Sequence, residues 1–217
     1  MSRPERLVVI VGTGTEVGKT WCACRLLSYA RAQGLRVAAR KPAQSFQPGE
    51  GPTDAELLAA ASGESPEAVC PPHRRYPVAM APPMAADVLG RARITIEELI
   101  SELTWPEGID LGLVETAGGV RSPLTHDADN VELVRRLSPD RVLLVADAGL
   151  GTLNSVRLCL EVLAPANVTV LLNRFDPASD LHRRNREWLG RYDGIDALTR
   201  PEDLLPPETA PDRPSHG

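Results

Sequence analysis

Gly12-Thr13-Gly14-Thr15-Glu16-Val17-Gly18-Lys19-Thr20 is the segment whose residue types and spacing most directly imply chemistry. Glycines let successive backbone N–H groups curl around phosphate oxygens, and the start of a following helix adds partial positive charge. Lys19 has the reach to meet β- and γ-phosphates. Thr20 offers a hydroxyl to Mg²⁺, which prefers hard oxygen ligands. The common pattern has glycine five residues before Gly18, where this chain has Thr13 between Gly12 and Gly14. The competing reading is a Gly-rich turn before a helix. A Gly-Lys-Thr triplet set between a strand and a helix disfavours it.

Other polar residues fall where strands should end. Lys41, after a strand and before Pro42, could stabilise a developing anion, although a solvated lysine is the plainer reading. Asp54 opens a helix, where the usual role is an N-cap; metal binding is the second role open to it. Glu115 closes Leu-Gly-Leu-Val114 and precedes Thr116-Ala-Gly-Gly119, the place where phosphate-loop proteins commonly put a metal-binding acid. Asp147, ending the next strand, competes for that role. Gly149-Leu-Gly-Thr-Leu-Asn154 opens another helix whose free N–H groups could hold a carboxylate, or which Thr152 simply caps. Asn173 could meet a base edge or close a turn.

The elements that must carry these residues follow from hydrophobic patterning. Leu7–Val11 is a continuous β-branched run, suited to a strand buried on both faces. A helix is expected over 19–33, stopped by Gly34, then a strand over 35–39 and a short helix over 54–61. Residues 66–83 are proline-rich and read as irregular. A helix over 95–103, capped by Thr95, is followed by buried strands at 111–115, 141–147 and 168–173. Helices at 130–137 and 154–163 lie between them. This alternation predicts a three-layer α/β fold, a mostly parallel sheet with helices on both faces, which binds ligands at the strands' C-terminal ends. Residues 1–199 form the expected single domain; the Pro- and acid-rich stretch 200–217 is expected to be a disordered tail.

Bulk properties narrow the function. A chain of 217 residues accommodates one well-buried core. With aromatics at 4%, that core must be aliphatic. The formal charge of −5 gives no case for nonspecific nucleic-acid binding, and the short Arg pairs (74–75, 135–136, 183–184) read as solvated faces. Cys22 and Cys24 are two apart at a helix start, so their side chains diverge and suit one metal poorly; Cys70 and Cys159 complete no zinc pattern. No apolar run approaches the about 18 residues of a membrane span. The expected location is the cytoplasm, with the cysteines reduced.

In order along the chain, these motifs resemble the dethiobiotin synthetase family, within the P-loop NTPase superfamily. The resemblance rests on residues 12–20, Arg40-Lys41-Pro-Ala-Gln-Ser45, Asp54-Ala-Glu-Leu, Arg75-Tyr-Pro-Val-Ala-Met-Ala-Pro, Val114-Glu115-x-Ala-Gly-Gly and Leu150-Gly-Thr-Leu-Asn154, and covers about residues 7–174. It implies an ATP- and Mg²⁺-dependent cyclo-ligase. In that family a vicinal diamine takes up CO₂ as a carbamate, which attacks the γ-phosphate, and the second amine closes the ring. The resemblance further implies catalytic roles for Lys19, Lys41 and Thr15, and metal ligation by Thr20, Asp54 and Glu115. Nucleotide contacts would come from Gly14, Glu16, Val17, Gly18, Lys19, Thr20, Trp21, Glu115, Gly118 and Asn173, with Asn173 reading adenine. Substrate contacts would come from Thr15, Lys41 and Ser45, and from Gly151, Thr152 and Asn154 across a homodimer interface.

The chain departs from that pattern at several points. Phe46 follows Ser45 where glycine is usual, and Thr116 follows Glu115 where glycine is usual, setting a side chain beside the phosphates. Arg174 follows Asn173 instead of an acid, and no Gly-x-Ile/Val-Pro segment is found after residue 190. These departures keep two alternatives open: a paralogue acting on another amine, and a nucleotide-driven switch that binds a partner. Lys41 and Ser45 favour an enzyme, since a switch does not need them. Partitioning ATPases carry a second loop lysine where this chain has Gly14, which counts against that kind of switch.

Overall fold

The structure, a computed structural model, describes residues 3–205. Seven strands are present: β1 (Arg6–Gly12), β2 (Val37–Arg40), β3 (Gln44–Ser45), β4 (Arg75–Tyr76), β5 (Leu111–Glu115), β6 (Arg141–Asp147) and β7 (Val168–Asn173). Five of them make one parallel sheet in the order β2-β5-β1-β6-β7; β3 and β4 pair in parallel as a separate two-stranded piece. Central β1 is buried from Leu7 to Gly12, as its unbroken apolar run requires when both faces are covered.

Among the described residues eight α-helices surround the sheet. On one face lie α1 (Lys19–Ala32), α2 (Asp54–Ser62) and α3 (Pro66–Val69), packing Leu26, Leu27, Leu58 and Val69 against Val8, Ile10 and Leu143. The other face carries α4 (Pro82–Val88), α5 (Ile96–Glu102), α6 (Asn130–Leu137), α7 (Thr152–Leu163) and α8 (Asp180–Asp193), which contribute Ala85, Leu99, Leu133, Val156 and Leu189. The expected three-layer α/β architecture is what forms.

Several local expectations change. The irregular 66–83 stretch contains α3, a 3₁₀ turn at Pro72–Arg74 and β4, and α4 begins at Pro82 with proline in its first turn, where a missing N–H costs nothing. Helix α8 was not foreseen. It is very polar, with only Asn185 and Leu189 buried, so its apolar stripe is too thin to read. The expected tail is corrected at its start. Pro201–Leu204 form a 3₁₀ turn, Leu205 packs into the α1 face, and buried Glu202 pairs with Arg25 of α1. Residues 206–217 of that tail lie outside the described residues.

Candidate active site

Strand register places the central ion pair. Arg40, the last residue of β2, lies opposite Val114 of β5, so the next residues, Lys41 and Glu115, emerge side by side at the sheet's C-terminal edge. Lys41 Nζ is 2.7 Å from Glu115 Oε1 and 2.7 Å from Asp54 Oδ2; the Lys41 and Glu115 side chains are 3% and 1% exposed. Nζ also donates to the Thr116 carbonyl at 3.3 Å.

Glu115 pairs in turn with Ile10 of β1, and β1 feeds the phosphate loop and α1. Thr20, in the first turn of α1, therefore reaches both acids: its Oγ1 lies 2.8 Å from Asp54 Oδ1 and 2.8 Å from Glu115 Oε1. Asp54 was expected to cap α2, but Thr53 does so through a reciprocal capping box with Glu56. Relieved of capping, the Asp54 carboxylate faces Thr20 and Lys41.

Opposing forces set the charges here. Burial raises the Glu115 pKa, and the Lys41 charge only partly counters it; the net direction is upward. Burial also raises Asp54, but Lys41, both as charge and as hydrogen-bond donor, carries it below the usual carboxylate value. Burial alone would lower Lys41, yet Glu115 and Asp54 hold it above the ordinary lysine value. Lys19 differs: burial, then the repulsion of Lys41, lowers it to about 8. Its Nζ folds back onto the Gly14 carbonyl at 3.0 Å.

The loop itself is held from two sides. Gly18 has φ +94°, and a Cβ on it would lie 2.0 Å from Asn173 Nδ2, so only glycine is admitted. Asn173 Nδ2 donates to the Val17 carbonyl at 2.9 Å, and Arg174 donates to the Glu16 carbonyl at 2.8 Å. Helix α1 has no side chain capping its start, which leaves its first N–H groups to an anion.

A cavity of about 950 Å³ opens over this edge, lined by Thr15, Glu16, Gly18, Lys19, Thr20, Lys41, Ser45, Asp54, Glu115 and Gly118 among others. Of the remaining residues singled out in the sequence, Val17 and Asn173 stand behind the loop. Trp21 lies on the outer surface of α1, 55% exposed under the Arg25 guanidinium, and is not in the cavity wall. Gly14 faces a neighbouring groove between the loop and α7. Gly151, Thr152 and Asn154 are not brought to this cavity within one chain.

At the start of α7, Gly151 occupies the cap position with φ +91°, and Thr152 is the first helical residue instead of the cap expected for it. Its hydroxyl is buried without a partner. The Thr116 side chain, expected beside the phosphates, is not in the cavity wall: it is fully buried, and its hydroxyl donates to the Ile10 carbonyl. Asp147 is turned elsewhere, accepting from Gly149 N at 2.9 Å and Arg174 Nη1 at 2.9 Å.

Sequence reasoning missed two residues. Asn185 of α8 donates from Nδ2 to the Ala148 and Gly149 carbonyls, both at 2.9 Å, and so fixes the turn entering α7. Gln44, in the middle of the Lys41–Ser45 segment, is 2% exposed and lines the cavity. A lone polar residue on an unrecognised helix gives no warning; Gln44 could have been suspected from its place between two chemically active neighbours.

The donor set suits Mg²⁺. Thr20, Asp54 and Glu115 present only hard oxygens, and Glu115 Oε2 is buried with no hydrogen-bond partner. Among the described residues no group of three or more His, Cys, Asp or Glu is positioned to bind a metal, so the remaining ligands would be phosphate oxygens and water.

A parallel sheet with a glycine loop between its central strand and first helix defines a P-loop nucleotide-binding protein, and residues 6–198 match the family model described as AAA domain. The chain belongs to the ATP-dependent dethiobiotin synthetase family. It is 42% identical over 169 residues to the enzyme of that name from Caulobacter vibrioides (74% of this chain, 75% of that one), and 36% identical over 208 residues to that of Haloferax mediterranei (93% and 86%). Solved structures agree on the fold alone. A plasmid-partition protein of Borrelia burgdorferi B31 bound to AMPPNP superposes with TM-score 0.55 at 12% identity, covering 98% of this chain and 93% of that one. Chloroplast FtsY of Physcomitrella patens gives 0.54 at 18%; this chain spans 61% of its length.

Proposed function

We propose that this chain closes a cyclic urea on 7,8-diaminopelargonate, using CO₂ and ATP and releasing dethiobiotin, ADP and phosphate. One observation carries the reading: Lys19, Lys41, Thr20, Asp54 and Glu115 meet in a single cavity at the sheet edge. An amine nitrogen takes up CO₂ and loses a proton to become a carbamate. A carbamate oxygen attacks the γ-phosphorus, and the bond to the β-phosphate oxygen breaks, releasing ADP. The second amine attacks the carbonyl carbon of the mixed anhydride, expels phosphate and loses a proton, which leaves the ring closed.

No protein nucleophile is required; the chain supplies position and charge. Loop N–H groups and Lys19 hold the phosphates. Lys41, Thr15 and Ser45, which line the same cavity, would meet the carbamate and the oxygen developing charge, Lys41 exchanging one of its present acceptors for the ligand. Thr20, Asp54 and Glu115 would hold Mg²⁺, which when bound neutralises phosphate charge.

The acyl carboxylate would go to Gly151, Thr152 and Asn154 of a second copy in a homodimer. Their distance from this cavity, the unpartnered Thr152 hydroxyl and the neighbouring Leu150, 92% exposed, support that role. Asn173, already committed to Val17, would keep its carbonyl oxygen for the adenine amino group. No helix of the described residues is long and apolar enough to cross a membrane, in keeping with a cytoplasmic enzyme.

The test is phosphate release with ATP, Mg²⁺ and bicarbonate, with and without 7,8-diaminopelargonate. Diamine-dependent release is expected. Phe46 lines the cavity at the position where the family resemblance implies glycine, and this favours a paralogue with a different amine as the second reading. Binding of ATP without diamine-dependent release would select it.

A further inference from the structure

Gln44 enters the cavity from β3, three residues after Lys41, and is almost wholly buried. Its Oε1 accepts from the Ala55 backbone N–H at 2.9 Å, immediately after Asp54 in the first turn of α2. Because that N–H requires an acceptor, the amide can face Ala55 only with its oxygen, and Nε2 must point the other way. Nε2 is buried and has no hydrogen-bond partner. Keeping such a donor unsatisfied costs free energy, and an acceptor brought by a ligand would recover it. The wall of this cavity carries Lys19 and Lys41 together with the carboxylates of Asp54 and Glu115, and on the reading above its ligand is an anion that comes with a cation.

We propose that Gln44 is a further contact of the reacting group, its amide nitrogen donating to an anionic oxygen of the ligand held in this cavity. The inference rests on the reading of the cavity as the ATP site. That oxygen belongs either to the transferring phosphoryl group or to the carbamate; the chemistry of recognition is the same, and experiment separates them. The Ala55 bond fixes which end of the amide is free to donate, and a donor so oriented is of the kind that stabilises developing negative charge.

Two variants test this. Gln44→Glu keeps an acceptor for Ala55 N–H and loses the donor; Gln44→Met is uncharged and loses both. Calorimetry would compare ADP·Mg²⁺ binding with and without aluminium fluoride, a mimic of the transferring phosphoryl group, and steady-state assays would give kcat and the KM for bicarbonate. Measured against its own ADP·Mg²⁺ affinity, each variant is expected to lose tenfold or more in one arm. Loss in the aluminium fluoride arm assigns the phosphoryl oxygen; loss confined to kcat and the bicarbonate KM assigns the carbamate. The proposal is overturned if Gln44→Glu matches the wild type in both arms, since Gln44 is then only an anchor for α2. It is equally overturned if Gln44→Met matches and Gln44→Glu fails, since the added charge is then the cause. Wild-type protein without diamine-dependent turnover would refute the substrate reading yet leave the aluminium fluoride arm to judge Gln44.

Discussion

Lys41 and Glu115 share an ion pair of 2.7 Å that is shut away from water and fixed by the register of β2 on β5. Removing one member of a buried pair leaves an uncompensated charge, worth about 3–5 kcal/mol. Asp54, partly exposed, retains some solvation, and Glu115 can take up a proton. Lys41→Ala is therefore expected to lose about 3 kcal/mol in urea denaturation, at the lower end of that range. Diamine-dependent phosphate release should fall at least about 100-fold, while ATP binding by calorimetry stays measurable. Normal turnover by this variant would remove Lys41 from the chemistry.

Glu115→Gln keeps the shape and discards the charge. A neutral amide oxygen holds a divalent cation more weakly than a carboxylate, and the Mg²⁺ concentration for half-maximal turnover should rise by about 10-fold or more, as for a lost charged contact. An unchanged metal titration would take Glu115 out of the metal site.

Gly18→Ala meets two obstacles, a positive φ and a methyl 2.0 Å from Asn173. The expected cost is about 1–3 kcal/mol from the backbone alone, with nucleotide affinity reduced because the loop amides are displaced. Adding Asn173→Ser to Gly18→Ala removes the collision and leaves the φ penalty, so the double variant should recover part of the stability. No recovery in thermal melts would show that the collision is not what limits Gly18.

Lys19 has an ammonium weakened to about 8 by burial and by Lys41. A triphosphate favours the charged form, so above pH 8 binding must be accompanied by proton uptake, and affinity should decline as pH rises. Calorimetry in buffers of different ionisation enthalpy would detect the proton; pH-independent affinity between 7.5 and 9 would contradict the assignment. Lys41→Ala, by removing the second cause of the depression, should move the decline to higher pH.

Leu205 closes the α1 face beyond the domain limit expected from sequence. Leu205→Ala should cost about 2–3 kcal/mol, as for other buried leucines, measurable as a lower urea midpoint with an unchanged slope. A midpoint within error of wild type would mean that the segment after residue 200 adds nothing to the core.

The legible parts of this fold were those dictated by local physics. Buried parallel strands announce themselves as β-branched runs, which located β1, β5, β6 and β7, and the glycine loop after β1 followed from the backbone geometry that phosphates require. Lys41, Asp54 and Glu115 came together at the sequence level only through the family resemblance, because their meeting depends on β5 inserting between β1 and β2, and strand order leaves no local trace. Helix α8 was hidden by its polarity, and Thr53 displaced Asp54 as cap because a hydroxyl one residue earlier had the better geometry. Arg174 looked like a loss of the family pattern; in space it ties Asp147 to the phosphate loop.

The separate parallel ribbon of β3 and β4 gives the segment from Lys41 to Phe46 a second attachment. Phe46 N donates to the Tyr76 carbonyl, and Ser45 bonds Met80. Chain regions so far apart must all be docked before the two lysines and two acids meet, so on the proposed reading of the site a nascent or half-folded polypeptide would have no means of spending ATP. The capacity to cleave a phosphoanhydride arrives only with the finished molecule.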